Sequence, residues 1–489
     1  MDSASLLAII SDLHRFDYSV YLTGGAVRDR FLHREPHDLD FTAEGDIRPL
    51  ATALADRLRA GFFPLDEERG TYRVVLEGGR TTVDFAALRG QDLHTDLTGR
   101  DFTINAMALD IKRMDCLIDP LGGLQDLKSR SLRSCSPSSM TDDPARVLRA
   151  VRLKVGLGLE IEPQTFEWVK QGVPLLDRIS PERVRDELLR MLETPGSAEC
   201  LRIMDSLRVI SEILPDLTPL KGVHQSPPHV YPVWEHTLEA LNGLDILWDL
   251  LVEPEGVNVS ENKILDTAFT HLGQYRERLA SHFSSRIIIS RSLRSLLAFA
   301  LLYHDNAKPH TQTVDPDGKT RFLGHDDQGA RVAVSRARAL SLSGDETARV
   351  HTIVAEHMRI HQLSQSGELP SPRAIYRFFR DTGPAGIDLC LLSLADTLAT
   401  YGHTISIGQW ERELAVCKAL MEARWDKTEE IVSPPRLIDG NELMRLTGLG
   451  PGPSVGKLLE ALREAQVDGE VNSHEDAVEF VRRVAQDLV

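Results

Sequence analysis

Cysteine is scarce in this sequence. Its five cysteines (Cys116, Cys135, Cys200, Cys390 and Cys417) are scattered over 489 residues, with no C-x-x-C pair. This argues against a disulfide framework and against a cysteine zinc site, and it leads to the expectation of a reduced, cytoplasmic protein. Long apolar runs are missing too: none approaches the roughly 20 residues that a membrane-spanning helix needs, so no membrane partner is expected. The opening "MDSASLLAIISDLHRF" starts acidic and shows no cleavage pattern, so no signal peptide is expected either. Nor is there an overall excess of positive charge. The formal net charge of −17 argues against a generally basic nucleic-acid coat. A local basic groove stays open, because counter-ion release depends on the contact face rather than the total. Residues 128–154 form such a stretch, with Lys128, Arg130, Arg133, Arg146, Arg149, Arg152 and Lys154 against Asp142 and Asp143.

The chain is long enough for two to four domains, at roughly 100–200 residues each, and it shows neither an internal repeat nor a low-complexity tract. Residues 1–125 read as mixed α/β. "VYLTGGAVRDRFL" has the pattern of strand, turn and helix, and "HDLDFTAE", "TYRVVLEGG", "TTVDFAAL" and "AMALDI" alternate or are β-rich as strands are. "IRPLATALADRLRAG" reads as a helix closed by Gly61. From about Asp142 the apolar spacing becomes three and four, which predicts amphipathic helices. Among them is one started by Ser180-Pro181, a capping residue before a proline. "TPLKGVHQSPPHVYP" and "IVSPPRLIDG" read as linkers. The expected fold class is α+β: a mixed α/β head over 1–125, a helical neck over 126–222, a helical histidine-rich body over 223–430 and a small helical module over 431–489.

The chemistry is concentrated in "YLTGGAVRDRFLHREPHDLDF". Asp38 and Asp40 alternate on a predicted strand, so both face one side. Two carboxylates on one face repel unless a cation lies between them, and hard oxygen ligands of this kind suit Mg²⁺, which completes its shell with waters and phosphates. Asp84, on another predicted strand, is a candidate third ligand. Gly24 and Gly25 lie between strand and helix, where backbone N–H groups can cradle a phosphate. These parts together describe phosphoryl or nucleotidyl transfer. At i and i+3 on a predicted helix, Asp143 and Arg146 share a face. A carboxylate accepts from an exocyclic amino group and a guanidinium donates to a ring nitrogen or carbonyl, so the pair suits the edge of a base.

"LTGGAVRDRFL…HDLDF", "GRDFTINAMALD", "IDPLGG", "DDPARVLRAVRL" and "SPERVRDELLRML" occur in that order over about residues 18–195. In this the sequence resembles the class II tRNA nucleotidyltransferase and bacterial poly(A) polymerase family, whose head has the polymerase-β-like fold. The resemblance implies transfer of CMP from CTP, and AMP from ATP, to the 3′ end of tRNA with release of pyrophosphate, and Mg²⁺ as cofactor. It implies that Asp38, Asp40 and Asp84 are catalytic, with Asp38 and Asp40 holding the metal. It makes Gly24, Gly25, Arg28 and Asp29 the phosphate-side turn, and Arg100, Asp101 and Asn105 the contacts to triphosphate and ribose. Asp143 and Arg146 are implied to read the incoming base, and Arg149 and Arg152 are added to the nucleotide-binding set. The sequence departs from the family in having Gly99 where a second arginine usually precedes Arg100. It also has a short connection from Asp84 to Arg100, where members that add the whole CCA carry a longer flexible segment. The expected product is therefore a CC end, with the whole CCA as the alternative if the short connection is neutral. Poly(A) addition with the same chemistry is a second alternative.

Farther on, His236, adjacent His304 and Asp305, His325, His357, His361 and Asp396 follow the order H…HD…H…H…D. They resemble the HD phosphohydrolases, which implies a second divalent metal held by His236, His304, Asp305 and Asp396, and as a further alternative metal-dependent hydrolysis of phosphoesters on RNA ends or nucleotides. Here "HDNAK" has Ala307 where the family form has glycine. The sequence carries no signal for oligomeric state.

Overall fold

A computed structural model describes residues 2–15, 17–36, 38–76, 81–253, 262–288 and 291–486. His37 in the opening motif and residues 77–79 of the expected strand "TYRVVLEGG" lie outside them. The chain divides into two compact units, one of Met1–Thr218 with Arg286–Ser295, the other of Pro219–Ser285 with Leu296–Val489.

The first unit contains a seven-stranded sheet. Its strands are β1 (Val20–Thr23), β2 (Asp38–Ala43), β3 (Gly61–Asp66), β4 (Thr71–Val75), β5 (Thr82–Ala87), β6 (Ala108–Asp110) and β7 (Arg113–Ile118), in the spatial order β3-β4-β5-β2-β1-β6-β7. Within this sheet, among the described residues, only β2 and β5 pair in parallel, and their register sets Asp40 directly opposite Asp84. Alternation along these strands sends Leu39, Phe41, Val83 and Phe85 into the core, where the rings of Phe41 and Phe85 stack at 5.3 Å. Asp38, Asp40 and Asp84 are therefore left together on the opposite face. The helices Ser3–Leu13 and Arg48–Leu58 contribute to the same core through Leu6, Ile10, Leu50 and Leu54.

The helix over Arg48–Leu58 ends earlier than expected. Arg59 adopts the left-handed conformation at φ 52°, and Gly61 already begins β3 rather than closing the helix. Strands β3 and β7 lie at the two sheet edges and were not legible from alternation, since neither buries a full face. Pro64 in β3 is tolerated because an edge strand needs only one row of hydrogen bonds. Beyond the sheet the unit is helical, with Ala145–Leu157, Pro163–Gly172, Pro181–Glu193 and Ser197–Ser206. Ser180 does precede Pro181 at the start of its helix, but its side chain makes no capping hydrogen bond.

The second unit is almost wholly helical. Val233–Leu251 lies against Gly386–Tyr401 so closely that a Cβ at Gly243 would stand 3.1 Å from the Ala395 carbonyl oxygen. That contact needs a glycine. Gly440–Thr447, Pro453–Val467 and His474–Gln486 enclose an apolar cluster of their own that includes Leu443, Leu458, Leu462 and Val481.

Candidate active site and a second histidine cluster

A cleft of about 660 Å³ opens in the first unit, and all the residues expected to bind nucleotide line it. At its floor Gly24 follows β1 at φ 73° and starts the helix Gly25–Phe31. A Cβ there would come within 3.2 Å of Asp40 Oδ2 and 3.3 Å of Arg100 Nη1, so a glycine is needed both for the turn and for the space. Thr82 Oγ1 donates to Asp38 Oδ1 at 2.6 Å, which orients the more exposed carboxylate of the pair. The carboxyl of Asp40 is pushed up to about 6 by its burial and by the facing charge of Asp84, against the pull of Arg100. A carboxyl destabilised as an anion by neighbouring anions fits a divalent cation, which removes that repulsion.

Asp84 is less available than expected. Arg73, opposite it on β4, donates from Nε to Oδ1 at 2.7 Å and from Nη2 to Oδ2 at 2.6 Å. Both oxygens of the third carboxylate are thus engaged by a fork, and the free pair is Asp38 and Asp40.

A continuous polar chain runs away from the glycine turn. Arg28 pairs with Asp29 and donates from Nη1 to Asn105 Oδ1 at 2.7 Å. Asn105 Nδ2 donates to Asp101 Oδ1, and Arg149 Nη1 reaches Asp101 Oδ2 at 3.0 Å. Burial opposes the charge on Asp101, but Arg149 together with the Phe102 N–H and Asn105 more than offsets it and holds the carboxyl below its usual range. Arg149 and Arg152 both donate to buried Glu187, at 3.0 and 2.8 Å from their Nε atoms. Both line the cleft expected to take the nucleotide while each is anchored by a protein carboxylate. Arg100 pairs with Asp96 at 2.9 Å and donates to the hydroxyls of Thr23 and Thr42.

The pair expected to read the base is arranged differently from a shared helix face. Asp143 has extended backbone, φ −145° and ψ 92°, and precedes the helix Ala145–Leu157 that carries Arg146. The proline at position 144 interrupts the helix between them. Arg146 spends its Nη1 on the Arg100 carbonyl and Ser139 Oγ and its Nη2 on the Gly99 carbonyl, while its Nε stays 3.7 Å from Asp143 Oδ2. The closer partner of Asp143 is Arg183, whose Nη2 donates to Oδ2 at 2.7 Å. Arg73, Arg183 and Glu187 were not anticipated. For Arg183 a signal existed: a cation in the first turn of a helix opposes the macrodipole.

The short connection between Asp84 and Arg100 is compact. It includes the helix Leu93–Thr98, capped by Asp92, with Leu93 and Leu97 buried against Tyr21.

In the second unit the expected ligands converge. The Nε2 atoms of His236 and His304 lie 3.6 and 3.2 Å from Asp305 Oδ2, and Asp396 Oδ1 lies 2.8 Å from His236 Nε2. His236 Nε2, His304 Nε2 and Asp305 Oδ2 are buried together, and Lys308 Nζ lies 2.6 Å from that same Asp305 oxygen, so a metal taken up here would share the carboxylate with Lys308. Two more histidines join them: His325 and His357 bring Nε2 to 3.4 and 3.9 Å from Asp305 Oδ1. The Nδ1 atoms of His304, His325 and His357 each lie 2.7 Å from the backbone carbonyl three residues earlier. Donation there places the proton on Nδ1 and leaves the Nε2 lone pair facing the cluster. Burial, with His325 and His304 beside it, pushes His357 down to about 3, so it is neutral, as a ligand must be. His361 is not part of the centre: it bridges Asp396 Oδ2 at 2.8 Å and Glu413 Oε1 at 3.0 Å. Ala307 has φ −94°, a conformation that needs no glycine.

Comparison with known proteins agrees with the first of these regions. Residues 20–133 match the family model of the poly A polymerase head domain, and residues 158–221 match the model of the probable RNA- and SrmB-binding site of polymerase A. The A-adding tRNA nucleotidyltransferase of Deinococcus radiodurans is 36% identical, covering 95% of this chain and 95% of that protein. The CC-adding tRNA nucleotidyltransferase of Thermus thermophilus is 34% identical, covering 94% of this chain and 92% of the other. Among solved structures, a CCA-adding enzyme complexed with ATP is similar with a TM-score of 0.59 at 22% identity, covering 100% of this chain and 96% of that one. The Thermotoga maritima CCA-adding enzyme complexed with tRNA is similar with a TM-score of 0.53 at 20% identity, covering 99% and 98%; at these identities the two likenesses establish the fold. With full-length relatives at this level of identity, the chain belongs to the tRNA nucleotidyltransferase family.

Proposed function

We propose that this protein adds cytidylate from CTP to the 3′ end of tRNA without a nucleic-acid template, extending the end by two residues. The observation that carries the reading is the set of carboxylates on β2 and β5 beside the Gly24 turn. The terminal 3′-oxygen of the RNA attacks the α-phosphorus of the nucleotide. A new P–O bond forms, the bond to the β-phosphate oxygen breaks, and pyrophosphate leaves with that electron pair. Asp38 and Asp40 are the residues that would hold Mg²⁺, which when bound lowers the pKa of the attacking hydroxyl and neutralises charge on the phosphates. The N–H groups at Gly24 and Gly25, with Arg28, are assigned to the triphosphate, and Arg100, Asp101 and Asn105 to the phosphate and ribose side. Asp143 accepts from the exocyclic amino group of the base and Arg146 donates from its remaining N–H groups. That pattern accepts C and A and opposes U and G, which carry a carbonyl there.

Restriction to CC is supported by the compact connection, whose helix Leu93–Thr98 packs Leu93 and Leu97 inward and leaves no long flexible segment between Asp84 and Arg100. Addition of the terminal A alone is the second reading, favoured by the 36% identity to an A-adding relative. Transcripts ending before the CCA, after one C and after both, incubated with CTP, ATP or both, separate them on a sequencing gel. Two added residues from CTP on the first transcript, with none from ATP on the third, is the expected outcome. A single A on the third transcript alone replaces it with the A-adding reading. Long ATP-only tails would mean poly(A) synthesis.

The histidine cluster supports a separate metal-dependent activity on phosphoesters. The observation for it is the convergence of four histidine Nε2 atoms on the two oxygens of Asp305. Release of phosphate from RNA ending in a 2′,3′-cyclic phosphate, lost in His304→Ala with tail addition intact, is the expected result.

A further inference from the structure

We infer that Arg183 is a positioning residue for base selection: it fixes the Asp143 carboxylate in the cleft so that a base offering an exocyclic amino group is accepted and one offering a carbonyl is rejected. The inference rests on the reading of Asp143 as the acceptor for the base, and it gives a role to a residue of the "SPERVRDELLRML" stretch to which the resemblance assigned none.

Four observations carry it. Asp143 has no helix to orient it. Its backbone is extended, and apart from Arg183 its carboxylate has one long bond, from the Ala145 N–H at 3.3 Å. Arg146 cannot take over the role, because its two Nη atoms are held by the carbonyls of Gly99 and Arg100 and by Ser139. Arg183 lines the same cleft as Asp40 and Arg28, and its side chain is 50% exposed, with no partner but Asp143 among the described residues. Finally, Arg183 stands three residues after Ser180, where a glutamate or glutamine would close a capping box, and Ser180 goes without a side-chain cap. A cation there is set against the positive end of its own helix, so helix stability does not account for it.

The chemistry follows from this one contact. One Nη of Arg183 neutralises Asp143 and leaves lone pairs of the carboxylate free for an amino group of C or A. The carbonyl of U or G, brought to the same place, would set two acceptors against each other, and a fixed carboxylate cannot swing away to relieve that. Sites built on oriented polar groups discriminate far more strongly than apolar pockets do.

The test measures kcat and KM of the full-length protein with each of the four nucleotides on a tRNA transcript lacking its 3′ end. The quantity read is the kcat/KM ratio of the accepted nucleotide to its carbonyl-bearing counterpart, CTP to UTP or ATP to GTP. Arg183→Gln is expected to lower that ratio by about tenfold or more, with Arg183→Lys intermediate. Asp143→Asn should lower it at least as far, and Asp143→Asn with Arg183→Gln should be no worse than Asp143→Asn alone, since both act through one carboxylate. If Asp143→Asn collapses the ratio and both Arg183 variants stay within about twofold of the parent, the inference is overturned and the base-reading role survives. If Asp143→Asn leaves the ratio intact, the base-reading role itself is wrong. Should the glutamine variant not fold, Arg183→Lys decides: an unchanged ratio in that variant overturns the inference.

Discussion

Arg73 holds both oxygens of Asp84, at 2.7 and 2.6 Å, from the strand opposite. A carboxylate clamped in this way acts as fixed charge beside the reacting centre, and the arginine offsets part of the repulsion among Asp38, Asp40 and Asp84. Removing the cation should therefore strengthen metal binding and free Asp84 at once. Arg73→Ala is expected to bind Mn²⁺ about tenfold more tightly than the parent, as followed by titration calorimetry without nucleotide. Equal or weaker binding would mean that Arg73 shapes the site by packing alone.

Asp40 bears the cost of its surroundings. Its carboxyl is raised to about 6, against an ordinary 3.8, so the ionised form destabilises the folded protein when no metal is bound. Asp40→Asn should be inactive and yet, in EDTA at pH 8, melt roughly 2–5 °C above the parent. The gain is full above pH 6 and fades as pH falls from 6 toward 3.8, where the parent also carries a proton at Asp40. Thermal scans at pH 8 and pH 5 check both parts.

Glu187 joins the helix Ala145–Leu157 to the helix Pro181–Glu193 through Arg149 and Arg152. Burial opposes its charge, but Arg152 and Arg149 outweigh that and lower its carboxyl from the usual range. Its stabilising contribution is present above the unfolded value of 4.5 and is lost as pH falls through the lower folded value. Glu187→Gln leaves Arg152 without its carboxylate and Arg149 with Asp101 alone, and should cost about 3–5 kcal/mol at pH 7 in urea unfolding. A loss of less than about 1 kcal/mol would mean that water serves the arginines equally well.

The histidine cluster has donors for two ions that share Asp305. Metal analysis of protein loaded with Mn²⁺ should find two ions per chain at this cluster and one in His357→Gln, with tail addition unaffected. A count of two in the variant would remove His357 from the ligand set.

Much of this was legible in the sequence. The β2 motif and the Gly24 turn are local, and spacing alone puts Asp38 and Asp40 on one face. The histidine order also survives folding, because the rings of His304, His325 and His357 are each aimed by a carbonyl three residues earlier on their own chain segment. What spacing could not show were partners brought from afar. Arg73 reaches Asp84 only through the β4–β5 register, and Arg183 reaches Asp143 across forty residues of helix and turn. The proline between Asp143 and Arg146 was visible, yet its effect on their shared face depends on a helix that starts one residue later.

The bonds from Arg146 to the carbonyls of Gly99 and Arg100 make the cleft behave as a caliper with one jaw welded. With the proposed roles of Arg146 and the Gly24 turn, the distance from base edge to phosphate turn would be set by backbone, and a nucleotide would be gauged along its whole length. Any change of preference during successive additions must then come from parts outside that jaw: the arriving RNA end, or a side chain still free to turn.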